Sequence, residues 1–188
     1  MCMKTYYKII DWFWGLFITP TLEQKAKRFA IRAHRSTNHK YDGKPYSVHL
    51  KMVVEYAIKY IHLIPEDKRA ILIAACWLHD TIEDCRVTYN DIKKIFGKEI
   101  AKIVYALSNE KGKTRAERAN PKYYKGIRDT ELASYAKTCD RLGNSKYYQM
   151  KGSDMLDKYR KEAFKFEIEL YRPEYAVMFD ELNEILGI

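Results

Sequence analysis

A chain of 188 residues, 47% of them apolar, is long enough for one domain with a sizeable core and too apolar to be disordered throughout. Its formal charge of +9 suits a polyanionic ligand such as a nucleotide, a nucleic acid or a membrane surface, although lysines spread along a chain also serve simply to solvate helix faces. The four cysteines, Cys2, Cys76, Cys85 and Cys139, make no C-x-x-C pair, so a zinc knuckle or thioredoxin-like site has no support and a reducing cytoplasm is the simplest compartment.

Residues 1–20 form an apolar, aromatic extension containing Trp12, Phe13, Trp14 and Phe17. Its Ile9 to Ile18 stretch is too short to span a bilayer, and Asp11 interrupts it. No small-residue cleavage site follows, which argues against a signal peptide. Packing on the domain, or on a second subunit of a homo-oligomer, is the simpler reading; contact with a membrane surface is the alternative. The domain itself is expected over 21–188.

Pro20-Thr21-Leu22-Glu23-Gln24 reads as a helix start, with Thr21 as cap and Gln24 at the reciprocal position. Leu22, Ala26, Phe29, Ala30 and Ala33 continue as a helical stripe. Residues 36–46 form a polar loop containing Asp42-Gly43 and Pro45. A second helix is expected from about Ser47 to Ile61, and Pro65-Glu66 opens a third. Thr88 to Asp91 is another capping-box start; Gly97 breaks that helix, and Ile100, Ile103, Val104 and Leu107 resume helical spacing. Residues 108–122 are almost all polar or charged and read as an exposed loop or lid. Helices are expected again at Tyr123–Ile127, at Glu131–Tyr148, and from Asp154 to near Leu186 with a break at Arg172-Pro173. No segment sustains two-residue alternation, so the expected fold class is all-α.

The third helix carries the most informative junction. Residues 70–78 are apolar without interruption and then meet His79, Asp80, Glu83 and Asp84. A run with no polar face belongs to a buried helix, and carboxylates at its end need charge compensation. His49 shares the apolar stripe of Val53, Tyr56 and Ala57, so it points inward. Asp140 likewise lies on a face with Ala133, Ala136, Gly143 and Tyr147, where Gly143 leaves space beside it. Two imidazoles and two carboxylates make a mixed N/O set suited to a divalent transition metal and to hydrolysis. Each residue alone has an ordinary reading as a hydrogen-bonded core or capping residue; their coincidence on inward faces favours the metal. Glu83 and Asp84 follow by one turn, on the same face if the helix continues, where they can hold a water or protonate a leaving group.

The order His49, then Leu78-His79-Asp80-Thr81-Ile82-Glu83-Asp84, then Lys137-Thr-Cys-Asp140-Arg141-Leu-Gly-Asn144, resembles the HD-domain phosphohydrolases. It is most similar to the hydrolase domain of the Rel/SpoT alarmone enzymes and to the Mesh1-like small alarmone hydrolases. Ala33-His34-Arg35 and Gly43 to His49 add to the match, which covers roughly residues 22–185. The resemblance implies an α-helical HD-domain bundle around a single Mn2+. It implies His49, His79, Asp80 and Asp140 as metal ligands, Glu83 and Asp84 as the catalytic acidic pair, and Tyr46 and Asn144 as nucleotide contacts. Lys137, Arg141 and the 108–122 segment are candidates for steadying phosphate charge. The implied reaction removes the 3′-pyrophosphate from guanosine tetra- or pentaphosphate.

One departure stands nine residues before His49. An arginine that helps hold the guanine nucleotide is usual there, whereas this chain has Lys40-Tyr41. Lysine keeps the charge but loses the planar fork, so Lys40 is a substrate contact of altered character. That keeps open an HD phosphatase for another nucleotide, an adenosine alarmone or the 2′-phosphate of NADPH. A reading from another class is a non-catalytic basic helical domain that binds nucleic acid or membrane by charge. The expected partner is a small nucleotide, not nucleic acid.

Overall fold

The protein is represented by a computed structural model that describes residues 19–108 and 111–188; the aromatic stretch assigned to an N-terminal extension lies outside them. The capping box is formed at the first helix. Thr21 Oγ1 accepts from the Gln24 N–H at 3.2 Å, and Gln24 Oε1 accepts from the Thr21 N–H at 3.2 Å. Helix α1 then spans Leu22–Ser36 and buries Ala26, Ala30 and His34.

The loop that follows departs from the all-helical expectation in a small way. Strands β1 (Lys40–Tyr41) and β2 (Lys44–Pro45) pair antiparallel, Lys40 opposite Pro45 and Tyr41 opposite Lys44. Asp42 and Gly43 at φ of 50° and 75° make the two-residue turn, the conformation an Asp-Gly pair tolerates best. All other regular structure among the described residues is helical. Helix α2 is Ser47–Lys59, followed by a 3-10 turn at Ile61–Leu63, and α3 is Glu66–Leu78. The short α4 (Thr81–Asp84) leads to α5 (Tyr89–Phe96), capped by a Thr88–Asp91 box. Gly97 at φ 90° turns the chain into α6 (Lys98–Leu107). Within the polar 108–122 stretch lies α7 (Arg115–Arg118), and Pro121 sits in the first turn of α8 (Pro121–Arg128). The chain finishes with α9 (Ala133–Lys151), α10 (Met155–Leu170), a 3-10 turn at Pro173–Tyr175, and α11 (Ala176–Leu186).

Two helices occupy the interior. Helix α3 is buried continuously from Leu72 to Leu78 and packs on α1, α2 and α6. Helix α9 packs on α2, α10 and α11. Because α2 touches both, its His49 is carried to where the end of α3 meets the middle of α9. Leu50, Leu72, Leu78 and Leu142 are fully buried around this junction, each worth about 1.5–3 kcal/mol of apolar burial. Gly143 faces α2: a Cβ there would meet Met52 Cβ and the Val53 nitrogen at 3.5 Å, an ordinary packing contact, so the space beside it is taken by α2.

Candidate metal centre

The end of α3 is built by its own side chains. His79 Nδ1 donates to the Cys76 carbonyl at 2.8 Å, and Thr81 Oγ1 donates to the Leu78 carbonyl at 2.7 Å. These bonds take carbonyls that a continuing helix would use. The chain bends at Asp80 and restarts as α4. The helix therefore does not continue through Glu83; there are two helices with a corner between them. A carbonyl can only accept, so His79 Nδ1 carries a proton, and Nε2 is the nitrogen that the neutral ring has left to coordinate.

Three side chains converge on that nitrogen. His49 Nε2 lies 3.2 Å from His79 Nε2. Asp140 Oδ1 is 3.2 Å from His49 Nε2 and 3.8 Å from His79 Nε2. Asp80 Oδ2 is 2.9 Å from His79 Nε2 and 3.5 Å from His49 Nε2. The donor atoms of His49, His79 and Asp140 all fall within 4.8 Å of one another. Further contacts orient the carboxylates: Lys137 Nζ donates to Asp140 Oδ2 at 2.8 Å, Asn144 Nδ2 to Asp140 Oδ1 at 2.6 Å, and the Tyr46 hydroxyl to Asp80 Oδ2. Behind them the Tyr41 ring stacks on His49 at 4.9 Å and its hydroxyl donates to Asn144 Oδ1 at 2.8 Å.

The electrostatics of this cluster call for a cation. Burial pushes both imidazoles toward the neutral form, yet Asp140 and Asp80 overcome it, lifting His49 to about 9 and raising His79 as well. Burial also disfavours ionised Asp140, but Lys137 and the two histidines hold it well below the usual carboxylate range; the histidines do the same for Asp80. His49 Nδ1 is buried with no hydrogen-bond partner among the described residues. Two carboxylates and two facing ring nitrogens this close are what a divalent ion with mixed N/O preference takes, so the residues fit a metal.

The cluster forms one wall of a polar cavity of about 180 Å³. Glu83, Asp84, Tyr46, Lys137 and Asn144, all expected from the sequence, line it. Burial, then Asp80 and Glu83, push the Asp84 carboxyl up to about 7. Lys40 is not brought to the cavity. It is exposed on β1, and its neighbour Tyr41 points inward with 7% exposure. Arg115 and Arg118, from the 108–122 segment expected to steady phosphate charge, also line it, as do Tyr123, Tyr124, Tyr159 and Glu162, which sequence reasoning did not single out. A signal for Glu162 existed: it lies on the inward stripe of α10 between Tyr159, Ala163 and Phe166, where a carboxylate needs a partner.

The family described as "HD domain" matches residues 26–150. The zebrafish (Danio rerio) guanosine-3′,5′-bis(diphosphate) 3′-pyrophosphohydrolase MESH1 is 30% identical over 120 residues, 62% of this chain and 63% of that protein. The guanosine-3′,5′-bis(diphosphate) 3′-pyrophosphohydrolase of Aquifex aeolicus is 32% identical over 154 residues, 80% of this chain but 20% of that protein. The chain thus spans less than two thirds of either relative. A solved structure of "a metazoan ortholog of SpoT" that "hydrolyzes ppGpp" has the same fold, with a TM-score of 0.72 at 21% identity, covering 90% of this chain and 96% of that one. Among the described residues no helix is long and apolar enough to cross a membrane. With the family match reaching across α1 to α9, from which every candidate ligand comes, the chain belongs to the HD-domain family.

Proposed function

We propose that this protein is a metal-dependent nucleotide phosphohydrolase that removes the 3′-pyrophosphate from guanosine tetra- or pentaphosphate. The observation that carries the reading is the meeting of two imidazole nitrogens and two carboxylates at one wall of a small polar cavity that also holds Lys137. The named activities of the zebrafish and Aquifex relatives support the choice of substrate. His49, His79, Asp80 and Asp140 would hold a divalent ion, for which we favour Mn2+. That ion supplies charge neutralisation for the phosphate and lowers the pKa of water.

The remaining work falls to the chain's own residues. Water adds to the proximal phosphorus of the 3′ group, the bond to the ribose O3′ breaks, and pyrophosphate departs. Asp84, with its carboxyl pushed up to about 7, is suited to keep a proton near neutral pH and pass it to the leaving O3′. Glu83 on the same short helix is assigned to orient the water. Lys137 stabilises charge on the phosphoryl oxygens, and Asn144 and Tyr46 position the nucleotide and the carboxylates together.

A second reading, an HD phosphatase for another nucleotide, draws on one observation. Lys40 is exposed and outside the cavity wall, so no side chain at this position reaches in to meet guanine. A nucleotide panel with manganese separates the two. Pyrophosphate from the guanosine substrate, lost in His79→Ala, supports the first; orthophosphate from NADPH supports the second. Metal-independent turnover, or turnover intact in Asp140→Ala, defeats both. Binding that falls steeply with salt and ignores His79→Ala marks a domain acting by charge alone. The proposed setting is the cytoplasm, where buried free thiols such as Cys76 and Cys139 stay reduced.

A further inference from the structure

The cavity is also lined by guanidinium groups whose hydrogen-bonding capacity is only partly used. Arg115 of α7 donates through Nε and Nη2 to the Glu162 carboxylate at 2.5 and 3.1 Å. Arg141 of α9 donates through Nη1 to the same carboxylate at 2.9 Å. Arg141 is 7% exposed and lies 4.5 Å over both the Tyr159 and Phe166 rings, so it is a fixed post. A guanidinium has five N–H donors, and here two cations share one carboxylate, leaving positive charge and free donors at the cavity wall. Arg118, one turn further along α7, also lines the cavity, and its Nε is buried with no hydrogen-bond partner among the described residues. A buried donor without an acceptor is an unfavourable arrangement that an incoming anion relieves.

We propose that Arg115 and Arg118 grip the distal phosphoryl group of the 3′-pyrophosphate, and that Glu162 is a positioning residue that ties Arg115, and with it α7, to Arg141. The proposal rests on the oligophosphate reading above and adds the residues that recognise the far end of the group. The short helix lies in the polar 108–122 stretch, 47 residues before Glu162 in the chain, and this ion pair fastens it to α10 together with Lys165 Nζ, which donates to the Ala119 carbonyl at 3.0 Å. Two arginines presented to one phosphoryl group match its geometry better than lysines do, because the planar fork engages two oxygens at once.

The test is calorimetric titration of the manganese-loaded full chain with inorganic pyrophosphate. Arg115→Gln and Arg118→Gln are each expected to weaken pyrophosphate binding roughly tenfold or more, with metal content unchanged. Glu162→Gln is expected to weaken it as well in the parent protein and to add nothing in the Arg115→Gln background, because both changes remove one contact. In steady-state hydrolysis the same variants raise KM more than they lower kcat. Affinity within twofold of the parent for both arginine variants overturns the grip. Equal weakening by Glu162→Gln in both backgrounds overturns the positioning role. Arg118→Gln carries the test if Glu162→Gln fails to fold, since the Arg118 Nε has no hydrogen bond to lose. Because binding is read without turnover, pyrophosphate held through these arginines by a protein that does not cleave the guanosine substrate leaves the grip standing and refutes only the substrate.

Discussion

Replacing Tyr41 by Phe should loosen the metal centre without touching a ligand. The Tyr41 hydroxyl donates to Asn144 Oδ1 at 2.8 Å, and Asn144 Nδ2 donates to Asp140 Oδ1 at 2.6 Å and to the Asp140 carbonyl at 3.1 Å. Both Asp140 atoms are acceptors, so the amide can point only one way and its oxygen faces Tyr41. Removing the hydroxyl leaves that oxygen half-buried and unpaired, a cost of about 1–3 kcal/mol in stability. The two bonds to Asp140 survive, so its carboxylate is loosened rather than freed. Loss of an outer partner of a metal ligand lowers affinity by roughly 10–100-fold, and Tyr41→Phe should fall at the tenfold end. Asn144→Leu removes the bonds to Asp140 directly and should reach the hundredfold end. Manganese titration of the chelator-stripped protein measures both. Affinity within twofold of the parent in Asn144→Leu, alongside a normal fold, would refute the claim that this chain of bonds holds Asp140 for an ion.

Stripping divalent ions with a chelator should lower Tm reversibly, since an ion at a hundred times its Kd adds about 2.7 kcal/mol to the folded state; an unchanged Tm in both parent and Asp140→Ala would contradict a site among these residues. Leu142→Ala, at a fully buried position on α9 between Asp140 and Asn144, should cost about 2–5 kcal/mol by urea denaturation. A loss under about 1 kcal/mol would mean that the interior around the ligands is not packed as described. Asp84 titrates at about 7 when folded against its ordinary value of 3.8, so the folded state holds the extra proton between those values. Its contribution is fully present below 3.8 and is lost as pH rises through 7. In metal-free protein Asp84→Asn should therefore gain Tm relative to the parent from about pH 4 to 7 and then level off; a difference independent of pH would remove the basis for Asp84 as a proton donor.

Much of this molecule is legible residue by residue. Thr21 with Gln24 and Thr88 with Asp91 cap helices because a hydroxyl and a side chain three residues on meet the same free N–H groups wherever the chain starts to coil. Gly97 breaks α5 from α6 because its φ of 90° disfavours other residues. The inward faces of His49 and Asp140 follow from helical periodicity alone, and the uninterrupted apolar run before His79 announces a buried helix. These rules reach about one turn along the chain, and there they stop. Only the packing of α3 and α9 on α2 decided that the His49 and His79 nitrogens meet the Asp80 and Asp140 oxygens at 2.9 to 3.8 Å, because that depends on which faces of distant helices cover each other. Only packing turned Tyr41 inward and left Lys40 in solvent, and only packing raised the Asp84 carboxyl, since burial and neighbouring charge are properties of the folded surroundings. Glu162 shows the limit most clearly. Its place on an apolar stripe marks it as needing a partner, but the two arginines that supply one come from helices 47 and 21 residues away in the chain, and only the tertiary structure brings them to one carboxylate.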